Sequence, residues 1–300
     1  MTDTSPPTTL RIDLPELAIT ALTWGPDDGP LAVALHGYPD SAWSWRHLGP
    51  ALAERGYRVV APFTRGYAPT DIPGDGDFHI GALMHDAIGV HQALGGGRDA
   101  VLIGHDWGAV TANAIGAHRR SPFRAVVSMS VPPVPAMTRS DLDPRTRLGL
   151  LRRQARMSWY MFFNQIPIVS ERSLDRLIPK LWRDWSPGHD ATDDLVHVFD
   201  ALPTLANRKA ALQYYRSVAT PGRPAARYRE LHDSWRRAPK VPTLYLHGAD
   251  DGCMRVEFVS SVREVLPEGS RVAIIEGAGH FLQVEQPDAV NAEIIDFLGT

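Results

Sequence analysis

Apolar residues occur along this chain in two patterns, short unbroken runs and longer stretches at helical spacing, which alternate through its first third. Leu31–Leu35 is a compact apolar run stopped by His36-Gly37-Tyr38-Pro39, the pattern of a buried strand ended by a turn. Residues 43–55 have helical spacing, with Ser41 or Ser44 as N-cap and Gly56 beyond the end. Further strands are expected over 57–61, 100–103 and 124–129. Helices are expected over 79–94, stopped by Gly95-Gly96-Gly97, and from Trp107 to about His118. Strand and helix in this rhythm argue for a parallel sheet covered on both faces.

The pattern changes after Val131. Pro132, Pro133 and Pro135 interrupt it, and up to Ala238 the chain is rich in Arg, Trp and Tyr at helical spacing, without a strand-like run. The sheet rhythm returns with a strand over 242–247, a helix over 256–266, a strand over 271–275 and a helix over 287–298, with Pro287 in its first turn. The expected class is α/β: a mostly parallel sheet flanked by helices, built from residues 1–132 and 239–300. Residues 133–238 form an inserted all-helical cap. Single cores stop growing near ~250–300 residues, so a chain of 300 suits one large domain or a core with an inserted lid.

Composition narrows the function classes. Hydrophobic residues are 44% and charged residues 22%, ordinary globular values that permit a sizeable core. A net charge of -3 and a pI near 6.5 give no basic surface of the kind nucleic acid requires. No apolar run reaches the ~18 residues of a membrane span. Residues 1–10 are polar and proline-bearing, unlike a signal peptide, so a cytoplasmic protein without membrane or nucleic-acid partners is expected. Cys253 is the one cysteine and reads as a small buried residue. Neither metal-ligand spacing nor a phosphate loop is present, so no cofactor is expected. The chain is expected to be a monomer or homodimer.

The chemistry centres on Gly104-His105-Asp106-Trp107-Gly108, a nucleophile-elbow pattern with Asp where Ser is commoner. A residue thrust out on a strained strand-to-helix turn needs small neighbours two positions either side, and glycines stand at both. The following helix presents N–H groups and a positive dipole end, favourable to an anion. The competing reading is an Asp that merely caps the helix. Two further strand ends favour catalysis. His247-Gly248 is followed by Asp250 and Asp251, and the last strand by Gly277-Ala278-Gly279-His280. The order nucleophile, acid, histidine, each past the carboxyl end of an expected parallel strand, is that of a hydrolase triad. Asp251, three residues after Gly248, is the expected acid, and Asp250 the fallback.

Residues 31–131 and 240–300 resemble the α/β-hydrolase core. His36-Gly37-Tyr38-Pro39 together with Gly104-His105-Asp106-Trp107-Gly108-Ala109 resembles the epoxide hydrolase branch. The resemblance implies a cis peptide at Tyr38-Pro39, and an oxyanion hole made by the backbone N–H groups of Tyr38 and Trp107. It also implies that Tyr38, Trp107 and Phe163 line the substrate. A carboxylate attacking an acyl group would leave an awkward anhydride, whereas attack on an sp3 carbon leaves an alkyl ester. Suitable substrates are therefore epoxides or alkyl halides, with water as co-substrate. An ordinary aspartate is ionised at neutral pH and needs no base to attack. His280, oriented by Asp251, would activate water to hydrolyse the ester.

An opened epoxide leaves an alkoxide that needs a proton. In the family, cap tyrosines supply it. Leu212-Gln213-Tyr214-Tyr215-Arg216 resembles one tyrosine-bearing segment, with Tyr215 at the matching position. Phe162-Phe163-Asn164-Gln165-Ile166-Pro167 resembles the other, but Phe163 stands where a Tyr is expected. Tyr160, three residues earlier on a neighbouring helical face, is the expected substitute. The alternatives are an enzyme that works with Tyr215 alone, or a substrate that is not an epoxide. Aromatic residues and Met between positions 157 and 163 point to a small apolar or aromatic epoxide.

Rival readings share the same Asp. A haloalkane dehalogenase would use Trp107 as one halide donor, but an Asn usual after His-Gly is replaced by Tyr38. A haloacid dehalogenase would want an Arg where Trp107 stands. A non-catalytic ligand-binding protein on this fold would not require the triad. Other residues are expected in structural parts: Trp43 and Trp45 in the core, His36 and His105 in hydrogen bonds, Arg65-Gly66-Tyr67 in a turn, and Arg152, Arg153, Arg236 and Arg237 on solvated faces.

Overall fold

A computed structural model describes residues 6–138, 144–219 and 222–299. Residues 1–5 of the leader reading, and 139–143 and 220–221 of the expected insertion, lie outside the described residues. Eight strands form one sheet: β1 (Thr8–Asp13), β2 (Ala18–Trp24), β3 (Leu31–Leu35), β4 (Arg58–Pro62), β5 (Val101–His105), β6 (Ala125–Met129), β7 (Thr243–Gly248) and β8 (Arg271–Ile275). Their spatial order is β1-β2-β4-β3-β5-β6-β7-β8. Only the β1–β2 and β2–β4 pairs are antiparallel. Every residue of β3, β5 and β6 is buried, which is why these strands read as unbroken apolar runs.

The sheet is flanked by α1 (Leu48–Ala53), α2 (Ile80–Ala93) and α3 (Trp107–Ala117). Between β6 and β7 come α4 (Val134–Thr138), α5 (Pro144–Met157), α6 (Trp159–Phe163), α7 (Val169–Trp185), α8 (Thr192–Ala201), α9 (Leu205–Ala219) and α10 (Arg229–His232). No strand occurs among the described residues of that stretch. α11 (Val259–Val265), α12 (Leu282–Glu285) and α13 (Pro287–Leu298) complete the fold, and β8 and α13 have the expected bounds. No helix of the described residues is long and apolar enough to cross a membrane.

Two expectations are corrected. The helix expected over 43–55 divides into a 3-10 turn at Ala42–Trp45 and the short α1. Ser41 caps the first piece by accepting from the Trp43 N–H, while the Ser44 hydroxyl donates to Asp40 instead. The helix expected over 256–266 likewise opens as a 3-10 turn, Val256–Phe258, before α11.

β3 is central, with β4 on one side and β5 on the other, so the chain's progression across the sheet reverses there. Loops leaving the carboxyl ends of adjacent β3 and β5 diverge at such a point and leave a crevice between them. His36–Pro39 follows β3 and Asp106 follows β5, so both open onto that crevice.

The Arg65-Gly66-Tyr67 turn is anchored from below and above. The fully buried Arg65 guanidinium forms a bidentate pair with Asp86 of α2, at 2.6 Å for each bond. From the other side, the Tyr214 hydroxyl of α9 donates to the Arg65 carbonyl at 2.9 Å, and Asn207 donates to that of Gly66 at 2.9 Å.

Candidate active site

Asp106 is the single residue between β5 and α3, and its backbone sits at φ 51°, ψ -114°. A β-carbon strongly disfavours this conformation, which persists only where the surroundings impose it. The glycines on either side permit it. A Cβ on Gly104 would lie 2.2 Å from the Gly108 carbonyl oxygen, and one on Gly108 would lie 2.0 Å from that of Leu35. The Asp106 side chain makes no capping bond to α3. Its Oδ1 accepts instead from the Tyr38 N–H at 2.7 Å. Helix capping is therefore not what this carboxylate does.

The Tyr38-Pro39 peptide is cis, and so is Ala68-Pro69, which was not expected. The His36–Pro39 loop presses against the elbow: a Cβ on Gly37 would fall 2.3 Å from Asp106 Oδ1 and 2.7 Å from the Trp107 backbone nitrogen. The Trp107 N–H thus borders the same space as the Tyr38 N–H. His36 holds the loop shape, accepting from the Thr64 N–H at its Nε2 (3.0 Å), with Nδ1 2.9 Å from the Gly37 carbonyl.

The loops after β7 and β8 bring the other two polar members. His280 Nδ1 stands 3.0 Å from Asp251 Oδ2, while its Nε2 faces Asp106 Oδ2 at 3.6 Å and has no hydrogen-bond partner. Asp251 Oδ1 accepts from the N–H groups of Cys253 and Met254. Asp250 is exposed, and its N–H donates to the Ala278 carbonyl. Burial alone would lower the His280 pKa, but Asp251 and Asp106 outweigh it and raise the value to about 10. Burial would raise that of Asp251, and the imidazolium outweighs it and keeps the carboxyl below its ordinary range.

His280 is held by its backbone as well as its ring. Its N–H donates to the Trp185 carbonyl at 3.0 Å, and the same carbonyl accepts from the Gly252 N–H at 3.0 Å. Its own carbonyl lies 2.8 Å from His105 Nε2 and accepts from the Ser130 hydroxyl at 2.7 Å. On either side, Glu285 accepts from the Gly279 N–H and from the Ser186 hydroxyl, and Ser186 Oγ accepts from the Phe281 N–H.

The helical stretch contributes two tyrosines. Tyr215 of α9 packs edge-on against Trp107 (5.1 Å between ring centres) and Tyr38 (5.2 Å). Tyr160 of α6 is perpendicular to Tyr215 at 5.6 Å, with its hydroxyl 3.5 Å from Cys253 Sγ. The Tyr215 hydroxyl is buried beside that of Tyr160 but outside hydrogen-bonding geometry. Burial raises both phenols well above their ordinary range, and the Asp106 carboxylate adds to it. Phe163 is half-buried and lies at 6.2 Å from Trp159. Tyr160, not the residue at position 163, is the one that meets Tyr215.

A matching model of the α/β-hydrolase fold covers residues 30–287. The chain belongs to the α/β-hydrolase fold family. Among curated relatives, Epoxide hydrolase A of Mycobacterium tuberculosis is 28% identical over 97% of this chain and 97% of its own. Epoxide hydrolase 3 of Xenopus tropicalis is 29% identical over 91% of this chain and 72% of its own. A solved putative epoxide hydrolase from Klebsiella pneumoniae superposes with a TM-score of 0.80 at 24% identity, covering 98% of both chains, which is agreement in fold. Epoxide Hydrolase A from Mycobacterium thermoresistibile superposes with a TM-score of 0.74 at 27% identity, also over 98% of both.

Two residues of this α/β hydrolase near the site were given no part in it from the sequence. Cys253, read as a small buried residue, is buried but stands against the Tyr160 hydroxyl, with Sγ close to both Asp251 and His280. Burial pushes its thiol well above the usual range, so it is not a thiolate nucleophile. Asn164, next to Phe163, is fully buried with both amide atoms unpartnered. Its position inside an otherwise aromatic segment was the available signal. Trp45 is core, as expected, while Trp43 stacks on His197 at 4.5 Å.

Proposed function

We propose that this chain opens epoxides to vicinal diols through an alkyl ester on Asp106. The observation that carries the reading is the freed Asp106 carboxylate: one oxygen is fixed by the Tyr38 N–H, the other faces His280, and the buried phenol of Tyr215, with Tyr160 against it, packs on Trp107 and Tyr38. Oδ2 is the attacking oxygen. It forms a bond to an epoxide carbon, the C–O bond of the ring breaks, and the alkoxide takes a proton from Tyr215 or Tyr160. Oδ1 becomes the ester carbonyl oxygen and already accepts from the first donor of an oxyanion hole, with the Trp107 N–H as the second.

Proton accounting supports the same assignment. At rest His280 carries a proton held by two carboxylates. Ester formation removes the Asp106 charge and weakens that hold, so the imidazolium can re-protonate the phenolate and become a neutral base. His280 then takes a proton from water as hydroxide adds to Asp106 Cγ. Collapse of the tetrahedral intermediate breaks the bond between Cγ and Oδ2; the leaving alkoxide takes the proton of the added hydroxyl, which releases the diol and leaves the resting carboxylate and imidazolium. Residues 133–238 would act as the cap that brings the tyrosines over the nucleophile and excludes water.

Paired hydroxyls favour an epoxide over an alkyl halide, because a halide leaves without needing a proton. The test is a single turnover of styrene oxide in heavy-oxygen water. The first diol should carry oxygen from Asp106, and Asp106→Ala should form none. Solvent oxygen in the first diol would overturn the covalent route. Halide release from bromoalkanes without diol formation would move the chain to the dehalogenases.

A further inference from the structure

Two buried polar groups near Asp106 and Tyr215 are left over by this chemistry. The Tyr38 hydroxyl and both side-chain atoms of Asn164 are buried without hydrogen-bond partners, and both residues have no exposed surface. The two side chains are neighbours, since the Asn164 amide acts on the Tyr38 phenol, although the pair falls outside hydrogen-bonding geometry. Even a small adjustment that joined them would satisfy one donor and one acceptor. A carboxamide has two N–H donors and a carbonyl oxygen, and a phenol adds a donor and an acceptor, so hydrogen-bonding capacity would remain. Buried polar groups are nearly always paired, and such a remainder calls for an occupant.

The pair is also positioned deliberately. The Asn164 N–H donates to the Tyr160 carbonyl at 2.8 Å, and its carbonyl accepts from Arg216 Nε at 2.9 Å. Arg216 follows Tyr215 and is itself braced by Glu171 at 2.7 Å and Ser170 at 3.0 Å. The framework that sets the two phenols therefore also sets the amide. Tyr38 connects it to the nucleophile, with its N–H on Asp106 and its ring edge-on to Tyr215.

We propose that Tyr38 and Asn164 form a subsite for an oxygen function on the substrate, so that the preferred epoxides carry an ether, hydroxyl or carbonyl oxygen beside the ring. The inference rests on the epoxide reading above and sharpens the small apolar substrate expected from the aromatic residues. A site built to hydrogen-bond an oxygen discriminates against an isostere that lacks it, because its own polar groups are then left unpaired.

A matched pair tests it: phenyl glycidyl ether and its hydrocarbon isostere, 4-phenyl-1,2-epoxybutane. The parent should favour the ether in kcat/KM by about tenfold or more. Asn164→Leu should bring the ratio near parity, chiefly by loss on the ether, and Tyr38→Phe should lower it in the same direction. Calorimetric binding of the two corresponding diols to the parent and to Asn164→Leu gives the preference independently of turnover. If neither epoxide is turned over, the epoxide reading fails while diol binding still decides the subsite. Equal binding and equal turnover in the parent would mean that the pair holds water only, and would overturn the proposal. A preference that survives Asn164→Leu and Tyr38→Phe would overturn it as well.

Discussion

Removing the Asp106 charge while keeping its shape should release the proton from His280. The perturbation is Asp106→Asn, which retains an oxygen for the Tyr38 N–H. At the 3.6 Å separation of His280 Nε2 and Asp106 Oδ2, two unit charges at an effective dielectric of about 20 attract by ~4–5 kcal/mol. That is worth roughly three pH units at 1.36 kcal/mol each. His280, raised to about 10 in the parent, should therefore titrate about two to three units lower in the variant, with Asp251 still in place. Histidine ring resonances followed by NMR against pH, with His280→Gln to assign the signal, measure this directly. Stability offers a second readout. The folded pKa lies above the ordinary 6.5, so the contribution is fully present below pH 6.5 and is lost as pH rises through about 10. For a fully buried side chain that rise corresponds to ~5 kcal/mol, and the same pair energy is not to be counted again for Asp251. In Asp106→Asn the loss should be complete at lower pH. A titration that moves by less than half a unit would refute the idea that Asp106 holds the resting proton, and the proton accounting of the ester route would go with it.

Two further outcomes concern the frame around the site. Arg65→Met should cost ~3–5 kcal/mol in urea unfolding because it strands Asp86, whereas Arg65→Met with Asp86→Leu should recover most of it; equal losses would show that the charges are not the cause. Gly108→Ala would place a Cβ 2.0 Å from the Leu35 carbonyl oxygen, and it should lower stability by about 3 kcal/mol or more; a melting temperature equal to the parent's would mean the elbow has slack.

The parts legible in the sequence are those whose signal is local. β3, β5 and β6 are buried on both faces, so they appear as uninterrupted apolar runs. The elbow glycines, the Asp after Gly248 and the His after Gly279 announce themselves because a strained or tight loop restricts its own neighbours. β1 and β2 were not anticipated. β1 lies at the sheet edge with most of its residues exposed, and its alternating pattern is hard to tell from a polar loop. The helix over 43–55 looked continuous because apolar spacing carries through the break at Arg46 and His47. Ser186, Glu285 and Ser130 acquire their places through contacts made across the chain, such as Ser186 to Glu285 and Ser130 to His280. Nothing in their immediate neighbours shows this. Tyr160 lies between the two cases: helical periodicity allowed it to approach Tyr215, and only the packing of the whole chain sets it against Tyr215 and Cys253.

The Trp185 carbonyl has a mechanical implication. One oxygen at the end of α7 receives the N–H of Gly252, next to the acid, and that of His280 itself. Any displacement of this end of the helical stretch would pull on both loops at once and disturb the Asp251–His280 alignment. Any opening of the helical stretch that left these two hydrogen bonds intact would have to keep α7's last turn in place. A chimaera that exchanged the helical stretch would inherit the same constraint: the residues around Trp185 and Ser186 belong with the Asp251 and His280 loops, and the cut would have to fall upstream of them.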